Sequence, residues 1–309
     1  MKRIFRNATL LLMVLMMLCA SAAAQTQKDE VVYALLSATG EVKNIYVVNG
    51  FESETQASGT DYGAYSQTQA LTQTEQFSYQ DGEASFTMAP GRFYYQGTPE
   101  GKQLPWEMKL SYTLDGKDTA PEALSGASGK LGISFEVKPR AEGAAYSQNL
   151  AMTATITLKG NRALNIQADK ATLAFAGGDV TASYVILPGQ EARYDLSADV
   201  TDFAMAGVQF AAVRMGVDKA MYQGIAAKAL EGSPFATAVG GMMEQFLASM
   251  QGQPTASFMD DRNAVRSLQF VFMAEGIPEK KPEVTPAPAA EAKPREDTMW
   301  QRLLSLFGG

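Results

Sequence analysis

Histidine and cysteine, the side chains behind most zinc sites, thiol nucleophiles and catalytic triads, are nearly missing from this chain. It has no histidine and one cysteine, Cys19. Carboxylates are left as catalytic candidates, and a glycosidase needs only two of them. The closest pairs are Asp199 with Asp202 and Asp260 with Asp261. Neither pair is flanked by the aromatic and polar cluster that a sugar site usually has, so solvated turn carboxylates are the favoured interpretation. A hydrolase that uses only carboxylates is therefore the least favoured of the three functional hypotheses that the sequence suggests.

A glycine-rich stretch, Gly126-Ala127-Ser128-Gly129-Lys130, is similar to a phosphate-binding loop. The pattern fails because Leu124 stands where the first glycine belongs and Leu131 stands where Ser or Thr should follow the lysine. A glycine turn between strands is the favoured interpretation. The chain also has no Asp-x-Asp-x-Asp-Gly calcium loop, so we predict no cofactor and no metal site.

Five aromatic residues of the N-terminal half are candidates for a ligand-binding groove. They are Phe93, Tyr94, Tyr95, Trp106 and Tyr112. In strands, alternate side chains point to opposite faces, so about half of them are expected in the core. An exposed aromatic row would favour a carbohydrate- or peptide-binding module, the second functional hypothesis.

The first 24 residues have the pattern of a secretory signal peptide. Lys2, Arg3 and Arg6 precede an apolar run over 10–18 that is too short to span a bilayer. Three alanines then end at Ala24, which predicts cleavage before Gln25 and removal of Cys19. We therefore predict an exported protein, extracellular or associated with the cell envelope, that contains no disulfide.

The composition of the mature chain argues against nucleic acid as a partner. Removal of residues 1–24 takes away three basic and no acidic residues, which leaves 23 basic against 33 acidic residues and a net charge of −10. Nucleic-acid binding depends on clustered Lys and Arg that neutralise phosphates. The sequence leaves the oligomeric state open.

The elements that would position any site are mostly strands. Residues 25–118 predict an N-terminal antiparallel β domain, with Asp81-Gly82 and Asp115-Gly116 as hairpin turns. Residues 26–30 look like a polar lead, and the Ser-, Thr- and Gln-rich stretch 52–76 predicts a long, partly extended surface excursion.

Residues 119–216 predict a second β domain, an immunoglobulin-like sandwich. Turns recur about every ten residues, and short apolar or alternating runs lie between them. The predicted strands cover 131–137, 150–158, 163–166, 171–175, 182–187, 194–200 and 208–213. The fold class is therefore mainly β, with two antiparallel β domains.

Helical character is confined to the C-terminal part. Residues 217–254 predict a short helical insert, and a strand returns in the region 255–277 at Ser267–Ala274. A linker of Pro, Ala, Glu and Lys follows over 278–297.

The last segment, 298–309, predicts an amphipathic tail helix. Its apolar face consists of Met299, Trp300, Leu303, Leu304 and Phe307. So short a helix is marginal alone in water, so something must bury that face. The alternatives are docking on its own domain, a groove on a protein partner, or a membrane surface.

Several segments together, in this order, resemble one family of exported proteins. They are Val32-Tyr33-Ala34-Leu35, Ile45-Tyr46-Val47-Val48-Asn49, Asp61-Tyr62-Gly63-Ala64-Tyr65, Tyr94-Tyr95-Gln96-Gly97, Leu104-Pro105-Trp106, Leu187-Pro188-Gly189, Asp202-Phe203-Ala204-Met205, the strand at Ser267 and the tail from Trp300 to Phe307. The family comprises uncharacterised exported proteins of clostridia and related Gram-positive bacteria, many with an X-X-X-Leu-X-X-Gly heptad-repeat stalk. Residues 217–254 lack that repeat. The resemblance implies an envelope location and no catalytic residues.

These observations lead to one functional prediction. We expect an exported, non-enzymatic cell-envelope protein with a structural or interaction role, whose tail engages a protein partner or a membrane surface.

Overall fold

The computed structural model describes residues 27–214 and 256–280, and these residues form mainly β-strands. In the first half, the strands are β1 (Gln27–Leu36), β2 (Val42–Ser53), β3 (Ala57–Tyr62), β4 (Tyr65–Ala70), β5 (Gln76–Gln80), β6 (Glu83–Met88), β7 (Gly91–Pro99), β8 (Trp106–Leu114) and β9 (Lys117–Asp118). In the second half they are β10 (Gly129–Pro139), β11 (Ala151–Lys159), β12 (Ala163–Gln167), β13 (Thr172–Ala176), β14 (Asp179–Ile186), β15 (Ala192–Val200), β16 (Val208–Val213) and β17 (Ser267–Ala274). Short helical turns lie at Pro121–Leu124 and Ala141–Gly143, and a single-turn α-helix, α1, covers Ala144–Ser147. The predicted mainly β fold with antiparallel sheets is confirmed.

Three sheets contain these strands. The large sheet has nine strands in the order β13-β14-β11-β16-β17-β1-β2-β7-β4. A five-stranded sheet has the order β12-β15-β10-β8-β9, and a three-stranded sheet has the order β3-β6-β5. Neighbouring strands are antiparallel except β1 and β17, which are parallel.

One face of the large sheet forms the main core. Along β1 and β17, alternate apolar residues point to this inner face, and Val32 lies opposite Phe270 and Ala34 opposite Phe272. This is the period-two pattern expected of strands with one buried face. Tyr33 and Leu35, on the outer face, are each 39% exposed.

The five-stranded sheet packs on the inner face through aromatic contacts. The Trp106 ring lies 5.4 Å from that of Phe270, and the Phe135 ring lies 5.2 Å from that of Tyr184 and 5.7 Å from that of Phe210. These edge-on contacts are a favourable aromatic geometry. The two sheets therefore form a β-sandwich-like pair.

The three-stranded sheet packs on the same inner face, at its other end. The Phe86 ring lies 4.4 Å from that of Phe51 and 5.0 Å from that of Phe93. Phe77 adds a contact with Tyr95 at 5.2 Å. Both smaller sheets thus bury parts of one continuous face.

The two predicted hairpin turns are present. Asp81 and Gly82 have φ angles of 51° and 81°, and Asp115 and Gly116 have 53° and 76°. Positive φ at both central residues is the requirement of a type I′ turn, which Asp-Gly meets. These turns join β5 to β6 and β8 to β9.

Two stretches of the N-terminal half are more ordered than the sequence indicated. Residues 27–30, predicted as part of a polar lead, begin β1, and Lys28 and Glu30 point into the core. The stretch 52–76, predicted as a surface excursion, contains β3 and β4 and buries Asp61 and Tyr65. The polar composition of these two stretches does not indicate strands, because their buried polar groups are satisfied by partners far away in the chain.

The described strands do not divide at the boundary predicted between residues 118 and 119. The large sheet joins β1, β2, β4 and β7 to five strands from the second half, and the five-stranded sheet joins β8 and β9 to β10, β12 and β15. The physical reason is β17, which lies between β16 and β1 and hydrogen-bonds to both. The sandwich therefore has layers drawn from both halves of the chain.

The remaining predicted segments lie outside the described residues. These are the signal peptide over 1–24, the helical insert, most of the linker and the tail helix. Within the two described ranges, no helix has the length and apolar character needed to cross a bilayer.

Candidate functional site

The carboxylate pairs considered from the sequence lie in separate surface environments. Asp260 accepts two hydrogen bonds of 2.8 Å from the guanidinium of Arg262, and this contact holds the pKa of Asp260 well below its usual range. Asp199 accepts a hydrogen bond from Asn165, whereas Asp202 is paired with Arg162. A turn connects Asp260 with Asn263, which confirms the turn interpretation of this segment.

The glycine-rich stretch forms a connection, as the sequence favoured. Gly126 has a φ of 71° and donates its backbone N–H to the carbonyl of Phe203 at 2.8 Å. Gly129 has a φ of 147° and starts β10. The segment is therefore a turn that leads into a strand.

Four of the five aromatic candidates are core residues. Phe93 and Tyr95 have no exposed surface, and Trp106 and Tyr112 are each 3% exposed. Tyr94 points to the other face of β7, where its ring covers Gly50. The predicted aromatic row therefore does not form a surface groove.

The tail residues Met299, Trp300, Leu303, Leu304 and Phe307, and the predicted cleavage site at Ala24 and Gln25, lie outside the described residues. Their roles stay predictions. In residues 27–214 and 256–280, no three acidic side chains lie together in a way that could hold a metal ion.

A groove between the terminal strands of two sheets is the best candidate site. β13 is the last strand of the large sheet, and β12 is the last strand of the five-stranded sheet on the same side. The groove between them has a volume of about 810 Å³. It is lined by Lys159, Gly160, Asn161, Ala163, Leu164, Asn165, Ile166, Leu173, Phe175, Gly177, Gly178, Asp179 and Val180. We call it the edge groove.

The edge groove exposes side chains that belong to the core face of the large sheet. Phe175 lies opposite Val180 and Leu173 opposite Ala182, and Val180 and Ala182 are buried. Phe175 is nevertheless 75% exposed and Leu173 37% exposed. The five-stranded sheet ends at β12, so it does not cover this part of the inner face. Apolar surface left open in this way commonly marks an interaction site.

The other wall of the edge groove contains a β-bulge. The pairing of β12 with β15 shifts register between Leu164 and Gln167. Asn165, inside the shift, has a φ of 51° and donates its side-chain amide to Asp199 at 2.7 Å. Leu164 is 63% exposed at the rim. Bulges re-aim side chains at sheet edges and often lie beside functional sites.

Two glycine turns fix one end of the edge groove. The backbone N–H of Gly160 donates to the carbonyl of Gly178 at 2.8 Å, which ties the β11–β12 turn to the β13–β14 turn. A Cβ at residue 160 would lie only 2.6 Å from that carbonyl oxygen. The two walls are therefore held at a set spacing by a contact that requires glycine.

Sequence reasoning located the strands of this site but not the groove. The predicted strands 163–166 and 171–175 correspond to β12 and β13, and the segment Gly177-Gly178-Asp179 is one of the turns that were expected about every ten residues. The signal for the site was the alternation that puts Leu173 and Phe175 on one face. Whether another sheet covers that face depends on the assembly of distant strands, which a local pattern does not contain.

Comparisons with known proteins give no family assignment. No protein-family model matches the chain, and no curated protein matches it. Among solved structures, the yeast delta-COP-I mu-homology domain matches 81% of this chain and 95% of its own, with 7% identity and a TM-score of 0.37. The same domain complexed with a Dsl1 WxWxV peptide gives 7% identity and a TM-score of 0.38. An M1 zinc metallopeptidase from Deinococcus radiodurans matches 57% of this chain and 43% of its own, with 17% identity and a TM-score of 0.18. These similarities are too low to support a functional argument.

Proposed function

We propose that this chain is an exported, non-enzymatic interaction protein of the cell envelope that binds an extended, apolar peptide segment of a protein partner in the edge groove. One observation carries the proposal. Leu173 and Phe175 continue the core face of the large sheet, yet nothing in residues 27–214 and 256–280 covers them.

An extended segment suits the backbone of the edge groove. β13 and β12 each have a described neighbour on one side only, so the other edge of each strand presents backbone donors and acceptors. A peptide strand added to such an edge gains main-chain hydrogen bonds. Every second side chain of the added strand would face the same way as Leu173 and Phe175.

The lining favours an apolar peptide over a sugar. Leu164, Leu173 and Phe175 are exposed apolar residues of the lining, and the Asn165 amide is already engaged with Asp199. The aromatic residues considered for sugar stacking lie mostly in the core. Burying a Phe or Leu side chain contributes about 1.5–3 kcal/mol, which is the main source of affinity we expect here.

A peptide-binding assay tests this proposal directly. The probe is a short synthetic peptide of alternating valine and threonine with a fluorescent label, and the readout is fluorescence anisotropy. We expect saturable binding. Changing both Leu173 and Phe175 to Ser should weaken it at least about tenfold, which corresponds to about 1.4 kcal/mol, because the change removes two apolar contacts with the peptide.

A matched control distinguishes binding in the edge groove from nonspecific hydrophobic binding. Val185 and Leu187 are each 57% exposed and lie in and just after β14 of the same sheet. Changing both to Ser should leave the affinity unchanged. Equal weakening by the control pair, or no binding at all, would contradict the proposed site.

The export and tail components of the proposal need a separate test. The sequence from Lys2 to Ala24 supports export, and the apolar face from Met299 to Phe307 supports an interaction of the tail. We would fractionate a Gram-positive host that expresses the full chain or a version ending at Glu296. We expect both to be exported and only the full chain to pellet with membranes. If both versions are equally soluble, the tail is not a membrane contact.

A further inference from the structure

Three ionisable side chains meet inside the core near the N-terminal end of β1. Lys28 and Glu30 lie two residues apart on β1, in phase with Val32 on the inner face. Lys28 is 4% exposed and Glu30 has no exposed surface. Asp61, from β3 of the three-stranded sheet, is 2% exposed. The cluster therefore joins two sheets in a water-poor environment.

The Lys28 amine lies between the two carboxylates. Its Nζ is 2.6 Å from Oδ1 of Asp61 and 3.1 Å from Oε2 of Glu30. The hydroxyl of Tyr95 donates to the other oxygen of Asp61, Oδ2, at 2.5 Å. Glu30 accepts hydrogen bonds from the Ser257 hydroxyl at 2.7 Å and the Phe258 backbone N–H at 2.6 Å. Every carboxylate oxygen in the cluster thus has a defined partner.

Burial makes the charged form of this cluster costly. A buried ion pair must recover the hydration that each charge loses, and buried groups tend to neutralise instead. Burial raises the pKa of Asp61 above its usual value despite the neighbouring Lys28, and Glu30 raises it further. Transfer of one proton from the Lys28 ammonium to the Asp61 carboxylate gives a neutral amine beside a neutral carboxylic acid. These are the two reactants of an amide condensation.

We propose that Lys28 and Asp61 become joined by an amide bond between Nζ and Cγ after folding, with Glu30 relaying the proton. Three features of the site favour such a step. The amine is held against the carboxyl group, the Tyr95 hydroxyl polarises the oxygen that becomes the amide oxygen, and water is largely excluded. Positioning of this kind corresponds to effective molarities of roughly 10⁵–10⁸ M.

The condensation is balanced without any added reactant. One proton first passes from Nζ to Oδ1 of Asp61, and the amine then forms the N–C bond at Cγ. Glu30 accepts a second proton from Nζ and delivers it to the departing Oδ1 hydroxyl. The C–O bond breaks and one water molecule leaves. Glu30 returns to its initial state, and nothing is oxidised or reduced.

The molecule contains a matched pair that should not react. Nζ of Lys43 lies 2.6 Å from the carboxylate of Glu275, as close as Lys28 to Asp61. Lys43 and Glu275 are 48% and 54% exposed. Water stabilises both charges there and opposes condensation, so distance alone predicts two amide bonds whereas burial predicts one.

Mass spectrometry of the denatured mature protein tests the proposal. We expect an intact mass that is lower than the sequence mass by one water molecule. A protease digest should contain a branched peptide that joins Lys28 to Asp61, and trypsin should not cleave after Lys28. The branched peptide is needed because the Asp81-Gly82 and Asp115-Gly116 steps can lose water by cyclisation.

Variants assign the roles within the cluster. Lys28→Arg and Asp61→Ala should each restore the full mass of their sequence, whereas Lys43→Arg should retain the loss of one water. Glu30→Gln keeps both reacting groups and should give mostly uncondensed protein. If Glu30→Gln retains the complete loss, the relay role of Glu30 is wrong.

The wild-type protein decides the main point even if a variant fails to fold. A full sequence mass, with tryptic cleavage after Lys28 and no branched peptide, would overturn the proposed bond. That outcome would leave the peptide-binding proposal untouched, because the edge groove contains none of these residues.

Discussion

At the scale of single residues, burial separates side chains that look alike in the sequence. Lys28 and Glu30 are buried at the start of β1, whereas Lys43 and Glu275 form an exposed pair. The sequence signal that distinguishes them is the alternation of side chains along the strand, since Lys28 and Glu30 fall on the same face of β1 as the buried Val32. A charged residue in phase with a core face needs a buried partner. That partner, Asp61, is 33 residues away from Lys28, and local patterns do not reveal it.

Trp106 should contribute strongly to stability. It is 3% exposed, and its ring packs against Phe270 and Phe272 at 5.4 and 5.9 Å. We expect Trp106→Ala to lower the free energy of unfolding by about 3–5 kcal/mol, measured by urea denaturation, because it leaves a large cavity. Leu187→Ala, at a 57% exposed position, should change it by no more than about 0.5 kcal/mol. Similar small losses for both variants would place Trp106 outside the core.

The ion pairs of Arg266 should make stability depend on acid pH. Its guanidinium hydrogen-bonds to Asp29 and Glu52 and lowers the pKa of both carboxyl groups. Lowered folded-state pKa values give stabilisation that is complete above the unfolded-state values, 3.8 and 4.5. It is lost as the pH falls below those values and through the lowered folded-state pKa values. The stability difference between wild type and Arg266→Gln should therefore be largest near neutral pH and shrink below about pH 4.5.

A pH series of urea unfolding curves measures this difference. Arg193→Gln, which removes an exposed pair with Glu136, serves as the control and should have a small effect at neutral pH. A difference for Arg266→Gln that stays constant from neutral pH to about pH 3 would show that the carboxylates of Asp29 and Glu52 are not its source.

At the scale of elements, local rules predicted the strands and hairpins better than their partners. Asp81-Gly82 and Asp115-Gly116 gave the turns because positive φ at consecutive residues is a local requirement. The strand at Ser267–Ala274 was also predicted, but its parallel pairing with β1 was not. That pairing joins residues more than 200 positions apart, and its determinants are complementary faces rather than a local pattern.

The junction between β16 and β17 should tolerate no side chain at Gly207. This glycine has a φ of 108°, and a Cβ there would lie 2.1 Å from the carbonyl oxygen of Ala274. Gly91 has a similar φ of 122° with open space around it. Gly91→Ala should therefore cost about 1–2 kcal/mol from backbone strain alone. Gly207→Ala should cost clearly more, as measured by thermal unfolding, and equal costs would contradict the close approach of these strands.

At the scale of the whole molecule, the two halves of the chain are interleaved. Strands from both sides of residue 118 share the large sheet, and two smaller sheets pack on its inner face. The cover ends before β13, and this mismatch between sheet widths creates the edge groove. The sequence predicted the β class and the positions of many strands, but not those of β3 and β4. The site itself arises from the relative widths of the sheets, which only the assembled fold determines.

Hydrogen exchange with and without the alternating valine–threonine peptide tests the proposed binding mode most directly. We expect slower exchange of backbone amides in β12 or β13 when the peptide is added, because strand addition protects free edge groups. β4, at the opposite edge of the large sheet, provides the internal control and should exchange at an unchanged rate. Unchanged exchange in both groove strands, or equal slowing at β4, would contradict a specific peptide site in the edge groove.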